Sequence, residues 1–171
     1  IVEGQTLDLG FETRADVTAR EYLRMIGGKT AAITRLACWS GAVIAGRDDR
    51  AADAVGAFGD ALGLGFQVQD DWLGVWGDPA LTGKVAADDI RRRKKSLPTL
   101  LLLERAESAD RDRLLHFFDQ PEIDADHVIV VLELMTRYEI GPDVAAEVQA
   151  WHDRSARTLD AALPPSAARD E

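Results

Sequence analysis

The chain has 171 residues, 46% of them hydrophobic and 29% charged, which is enough to bury one substantial core and excludes a wholly disordered chain. Lys and Arg total 20 against 30 Asp and Glu, and the formal net charge of -10 argues against general nucleic-acid binding, because it repels phosphate backbones over most of the surface. The one cysteine, Cys38, permits no intrachain disulfide, zinc knuckle or CxxC pair, so a reducing, cytoplasmic setting is expected.

Apolar residues recur at three- and four-residue steps in nearly every segment and no long alternating stretch occurs, so the chain reads as all-α. No apolar run approaches the roughly 20 residues of a membrane span. The first residue is Ile1, no signal-like stretch precedes it, and the chain is expected to begin within a longer sequence. Thr18 and Glu21 form a capping box ahead of Tyr22, Met25 and Ile26, predicting a helix from about Ala19. Lys29 then falls late in that helix or at its joint with the next. A second helix is expected from Thr30 to Ala45, with Ala31, Ala32, Ala37, Gly41 and Ala42 allowing a neighbour to approach closely. A long third helix should run from Ala51 to Trp76, where Gly77, Asp78 and Pro79 supply turn chemistry and open a loop to Ala87. A short helix closed by Arg91 to Lys95, a hydrophobic helix from Ser96-Leu97-Pro98 through Leu103, and amphipathic segments near 110–118, 125–139 and 143–162 complete one domain over 1–163. Residues 164–171, rich in Pro, Ala and charge, read as a flexible tail.

Three places could carry chemistry. On a helix Gln67, Asp70, Asp71 and Gly74 share one face, and two adjacent carboxylates among apolar residues require a neutralising cation. Their hard oxygens suit magnesium, which keeps several waters and bridges carboxylates to substrate phosphates. Spacing alone leaves this open against a solvated acidic helix end. Downstream, Lys84 beside Gly83 and the run Arg91, Arg92, Arg93, Lys94, Lys95 could serve an anion, although most of a charge run is usually a solvated face. Gly28-Lys29-Thr30 lacks the earlier glycine and preceding strand of a P-loop, since position 23 is Leu23, so Lys29 and Thr30 act as individual phosphate-binding side chains or as an ordinary surface pair. His116, His127 and His152 are isolated and read as core or surface residues, Cys38 as packing. Trp39, Trp72, Trp76 and Trp151 could line an apolar cavity or simply fill the core.

In order along the chain, Gly4-Gln5-Thr6-Leu7-Asp8-Leu9, Tyr22 through Lys29-Thr30-Ala31, Phe66-Gln67-Val68-Gln69-Asp70-Asp71 through Gly77-Asp78, and Gly83-Lys84, Asp89, Lys94 and Ser96-Leu97-Pro98 resemble the blocks of the trans-isoprenyl diphosphate synthases, the polyprenyl synthetase family. The resemblance covers about the first hundred residues. It implies an antiparallel bundle of helices around an apolar cavity, here without its N-terminal helices, and a head-to-tail prenyl transfer. An allylic diphosphate ionises, isopentenyl diphosphate attacks through its double bond, and the diphosphate itself takes the final proton.

By the same resemblance Asp70 and Asp71 hold Mg2+, and Lys29, Thr30, Lys84 and Lys94 contact the allylic diphosphate. Gln67, Gln5 and Asp8 support the site, with Asp70, Asp71 and Lys29 catalytic. The family also implies a homodimer. Two departures matter: Gly74 stands where the family's DDxxD motif has its third aspartate, and the first aspartate-rich motif belongs upstream of Ile1. The chain alone is therefore expected to be inactive. Gly74 also motivates an alternative, a non-catalytic subunit that modulates a partner synthase, with Asp78 a conceivable substitute carboxylate if the helix ends before it. A related terpene cyclase or head-to-head enzyme fits the Gly83 to Pro98 block less well.

Overall fold

The structure is a computed structural model that describes residues 1–83, 85–120 and 122–164. Among these residues every regular element is helical: α1 (Val2–Thr13), α2 (Ala19–Ile26), a π-helical turn (Gly27–Ala31), α3 (Ala32–Ile44), α4 (Asp49–Trp76), α5 (Pro79–Thr82), α6 (Asp88–Arg91), α7 (Leu97–Arg105), α8 (Ser108–Asp119), α9 (Ala125–Arg137) and α10 (Ile140–Ala162). None is long and apolar enough to cross a membrane.

The helix starts follow local chemistry. Thr18 and Glu21 close the expected capping box, Glu21 N–H donating to Thr18 Oγ1 at 3.1 Å and Thr18 N–H to Glu21 Oε2 at 3.0 Å. Asp124 caps α9 by accepting from His127 N–H at 2.8 Å. Gly46, with φ of 76°, takes the left-handed conformation just beyond α3. The stretch from Gly77 to Ala87, expected to be a loop, contains α5, because Asp78 accepts from Ala80 N–H and Pro79 fits the first helical turn.

The chain divides into two compact units, each drawn from separated segments, and α1, α2, α4 and α10 each contribute to both. The first unit holds Ile1–Glu12, Leu23–Gln67 and the described residues from Glu147 on. Its α3–α4 contact is close because Gly59 and Gly63 face Thr34, Cys38 and Ala31; a Cβ on Gly63 would sit 2.6 Å from Ala31 Cα. The expected small-residue approach is real, but the glycines that permit it lie on α4, while Gly41 of α3 has no neighbour within 4 Å of its missing Cβ. Trp39 lines an open groove of about 560 Å³ with Ile1, Ala32, Leu36 and the Arg35–Asp53 pair.

The second unit holds Thr13–Tyr22 and Val68–Ala146. Helix α9 packs against α6, α7 and α8 through Val128, Val131, Leu134 and Met135, a three- and four-residue stripe that is fully buried. Leu97, Pro98, Thr99, Leu100 and Leu102 bury most of α7 beneath it. Trp72 and Trp76 lie 5.8 Å apart, and Gly141 meets the Trp76 ring.

Candidate functional site

The second unit gathers hydrogen-bond donors around Asp71. This carboxylate has no solvent exposure, and each oxygen is used: Oδ2 accepts from the Tyr22 hydroxyl at 2.5 Å and the Leu97 N–H at 3.1 Å, and Oδ1 from Lys94 Nζ at 3.1 Å. Burying a carboxylate is costly unless it is paired and hydrogen-bonded, and here both conditions hold. Lys94 Nζ also reaches Asp89 Oδ2 at 3.1 Å and lies 3.9 Å from Asp70 Oδ2. Burial works against the Lys94 charge, yet the Asp71 and Asp89 carboxylates outweigh it and hold the ammonium above its ordinary pKa. Burial, added to by Asp71 and Asp70, pushes the Asp89 carboxyl up despite Lys94. Tyr22 is pushed far up, first by burial and then by the Asp71 charge, so its hydroxyl stays a donor.

Local backbone delivers these groups. Asp89 lies between, and Lys94 directly follows, two non-glycine residues in the left-handed region, Ala87 at φ 55° and Arg93 at φ 54°, a conformation costing about 1 kcal/mol each that a segment keeps only when its surroundings demand it. Lys94 N–H donates to the Asp89 carbonyl at 2.9 Å and closes the turn. The rest of the basic run points elsewhere: Arg92 pairs with Asp88, Arg93 binds the Gln120 carbonyl, and Lys95 the Arg14 carbonyl.

The first unit holds a more open arrangement. The π-helical turn places Lys29 against Asp8 of α1, with Nζ 2.5 Å from Oδ2 and both side chains more than a third exposed. Thr30 donates to Gln67 Oε1 at 3.0 Å. The crossing is tight because two glycines meet, a Cβ on Gly4 falling 2.5 Å from Lys29 N. Gln5 is exposed on the same helix.

The family model for polyprenyl synthetase matches residues 1–135. This chain belongs to the polyprenyl synthetase family. It is 38% identical over 170 residues to the short chain isoprenyl diphosphate synthase of Methanothermobacter thermautotrophicus, covering 99% of this chain and 51% of that protein. Geranylgeranyl diphosphate synthase of Mycobacterium tuberculosis is 47% identical over 107 residues, 62% of this chain and 31% of its own length. Among solved structures, the polyprenyl synthetase from Streptomyces coelicolor A3(2) superimposes with a TM-score of 0.89 at 35% identity, covering 99% of this chain and 52% of that one. The geranylgeranyl pyrophosphate synthetase from Pyrococcus horikoshii gives 0.89 at 32%, with 99% and 51% covered. The chain thus spans about half the length, or less, of these relatives.

Within this polyprenyl synthetase segment, Asp8 with Lys29, Thr30 with Gln67, and Asp70 and Asp71 with Lys94 are brought together as pairs or clusters. Lys84 lies outside the described residues. α4 ends before Asp78, whose exposed carboxylate caps α5 by accepting from Ala80 N–H. Two members of the cluster, Tyr22 and Asp89, had no assigned role from the sequence. A buried polar residue on the apolar face of α2 and an acid five positions before Lys94 were the available signals.

Proposed function

We propose that the protein containing this chain is a trans-prenyltransferase that condenses an allylic diphosphate with isopentenyl diphosphate. The observation that carries this reading is the convergence on Lys94: an ammonium held by Asp71 and Asp89 beside the half-exposed Asp70, built from two separated sequence blocks of the polyprenyl synthetase family. The relatives' names as isoprenyl diphosphate synthases support it.

The donor chemistry fits Mg2+ through Asp70, whose oxygens are hard and whose side chain is 38% exposed. Asp71, enclosed by three donors, holds Lys94 and the start of α7 in place; we therefore divide the expected acidic pair into a ligand, Asp70, and a support, Asp71. Mg2+ keeps several waters and is completed by substrate phosphate oxygens, so one or two carboxylates suffice to hold it. Bound Mg2+ supplies positive charge that stabilises the departing diphosphate. Lys29, Thr30 and Lys94 bind diphosphate oxygens, and Asp8 and Gln67 orient Lys29 and Thr30. Such fixed charges favour the transition state because they need no reorganisation as the C–O bond breaks. Homodimer assembly and a cytoplasmic setting belong to the same proposal.

The test is Mg2+-dependent incorporation of labelled isopentenyl diphosphate into allylic primers by the full-length protein. Asp70→Ala and Lys29→Ala should each lower turnover by about 10²-fold or more; normal turnover in either removes that residue from the mechanism. The 171-residue chain by itself should show little turnover. A full-length protein that raises a partner synthase's activity without its own would establish the non-catalytic alternative.

A further inference from the structure

Lys29, Lys84, Lys94 and Lys95 are the only lysines of the chain, and the rest of its 20 Lys and Arg residues are arginines. A guanidinium stays protonated and is no acyl acceptor, whereas a lysine amine is one. Acylation within these residues is therefore confined to four side chains. Lys94 Nζ donates to two buried carboxylates, Asp71 and Asp89, at 3.1 Å each. Lys95 is half-buried and donates to the Arg14 carbonyl. Lys29 stands in the π-helical turn with its side chain 38% exposed, beside the similarly exposed Asp8 carboxylate. We propose that Lys29 is a covalent modification site, acylated by acyl phosphates, and that its acylation shuts the diphosphate site to which it belongs.

The selectivity follows from charge. The inference rests on the reading above, in which Lys29 binds diphosphate oxygens. An acyl phosphate ends in the same kind of phosphoryl oxygens, so it exchanges with Asp8 on the lysine as a diphosphate does. Docked there, its carbonyl carbon is one bridging oxygen away from the phosphorus and falls close to Nζ, where proximity replaces a slow bimolecular encounter. The ammonium gives one proton to the water that reaches this exposed pair. Nζ then forms a bond to the carbonyl carbon, the C–O bond to phosphate breaks with its electron pair, and inorganic phosphate leaves with the second proton. The resulting amide carries no charge. Asp8 is left without its cation and meets an incoming diphosphate as a bare negative charge.

The experiment treats the full-length protein with acetyl phosphate and follows acetylation of these four lysines by mass spectrometry, with and without inorganic pyrophosphate and Mg2+. An uncharged active ester of acetate serves as the second donor, and calorimetry reads pyrophosphate affinity before and after treatment. Acetyl phosphate should modify Lys29 about tenfold faster than Lys84, Lys94 or Lys95, and pyrophosphate should block the reaction. The uncharged ester should show no such preference. Treatment should abolish most pyrophosphate binding in the wild type and leave that of Lys29→Arg, which keeps the charge, as it was. Four results overturn the proposal: equal modification of the four lysines, the same preference for Lys29 with the uncharged ester, labelling that pyrophosphate leaves unchanged, or undiminished pyrophosphate affinity once Lys29 is acetylated. An untreated wild-type protein that binds no pyrophosphate overturns the diphosphate reading and this proposal with it, whereas normal binding with acetylation directed elsewhere overturns the modification site alone.

Discussion

The two lysine centres are built differently. Lys94 is locked by two buried carboxylates in the second unit, and Lys29 pairs with the half-exposed Asp8 in the first. In the Lys94 centre, charge, fold and site are one construction: Asp71 binds Tyr22 of α2, the first N–H of α7 and the lysine together. In the Lys29 centre the ion pair is accessible to water and contributes little to folding, so its lysine can exchange Asp8 for another anion. A buried centre gives a fixed direction of charge; an exposed one gives adaptability.

The largest expected break of this contrast is Asp71→Ala. It strands Lys94 and leaves the Tyr22 hydroxyl and Leu97 N–H without their acceptor, at a cost of about 3–5 kcal/mol by denaturant unfolding. Lys29→Ala should instead change stability by less than about 1 kcal/mol while removing most activity. Equal stability losses in the two variants would erase the distinction. Gly4→Ala comes next, because its methyl meets the backbone of Gly28 and Lys29; a loss of about 1–3 kcal/mol is expected, with pyrophosphate affinity reduced as α1 is pushed from the π-helical turn. Tyr22→Phe should cost about 1–2 kcal/mol and leave Lys29 chemistry untouched, which a diphosphate titration can verify.

The smallest effect concerns the capping box. The Thr18 N–H, then Arg14 and the Thr18 hydroxyl, hold the Glu21 carboxyl below its ordinary pKa. Its folded pKa is depressed, so its stabilisation is present above the ordinary carboxylate range and fades as pH falls through the folded value. The melting-temperature gap between wild type and Glu21→Gln should therefore shrink on acidification, and a widening gap would contradict the assignment.

What the sequence disclosed and what it hid divide along the range of the interactions. The start of α2 was legible because Thr18 and Glu21 are three residues apart, and the end of α4 because Gly77, Asp78 and Pro79 are adjacent. The family blocks pointed to Asp70, Asp71, Lys29 and Lys94, of which the structure clusters Asp70 and Asp71 with Lys94 and pairs Lys29 with Asp8. They could not tell that Asp71 would be enclosed and Asp70 half-exposed, because neighbours in sequence point in different directions on a helix. Asp89 was hidden for another reason: its burial beside Lys94 arises from the turn between them and from packing that local spacing does not show. The capping of α5 by Asp78 was legible from Asp78-Pro79 only as a turn.

The π-helical turn also acts as a phase shifter. Ala32 N–H donates to the Gly27 carbonyl, a five-residue step, and Ile26 and Ala31, five positions apart, are both buried. In an uninterrupted α-helix those two residues would diverge by about 140° around the axis. One additional residue in this wide turn cancels that drift, presenting Ala31 and Thr34 to Gly63 beyond it. Deleting either Gly27 or Gly28 would bring Ile26 and Ala31 to a four-residue step, about 40° apart in an ordinary α-helix, so α3 could keep its face while the wide turn that carries Lys29 would be lost.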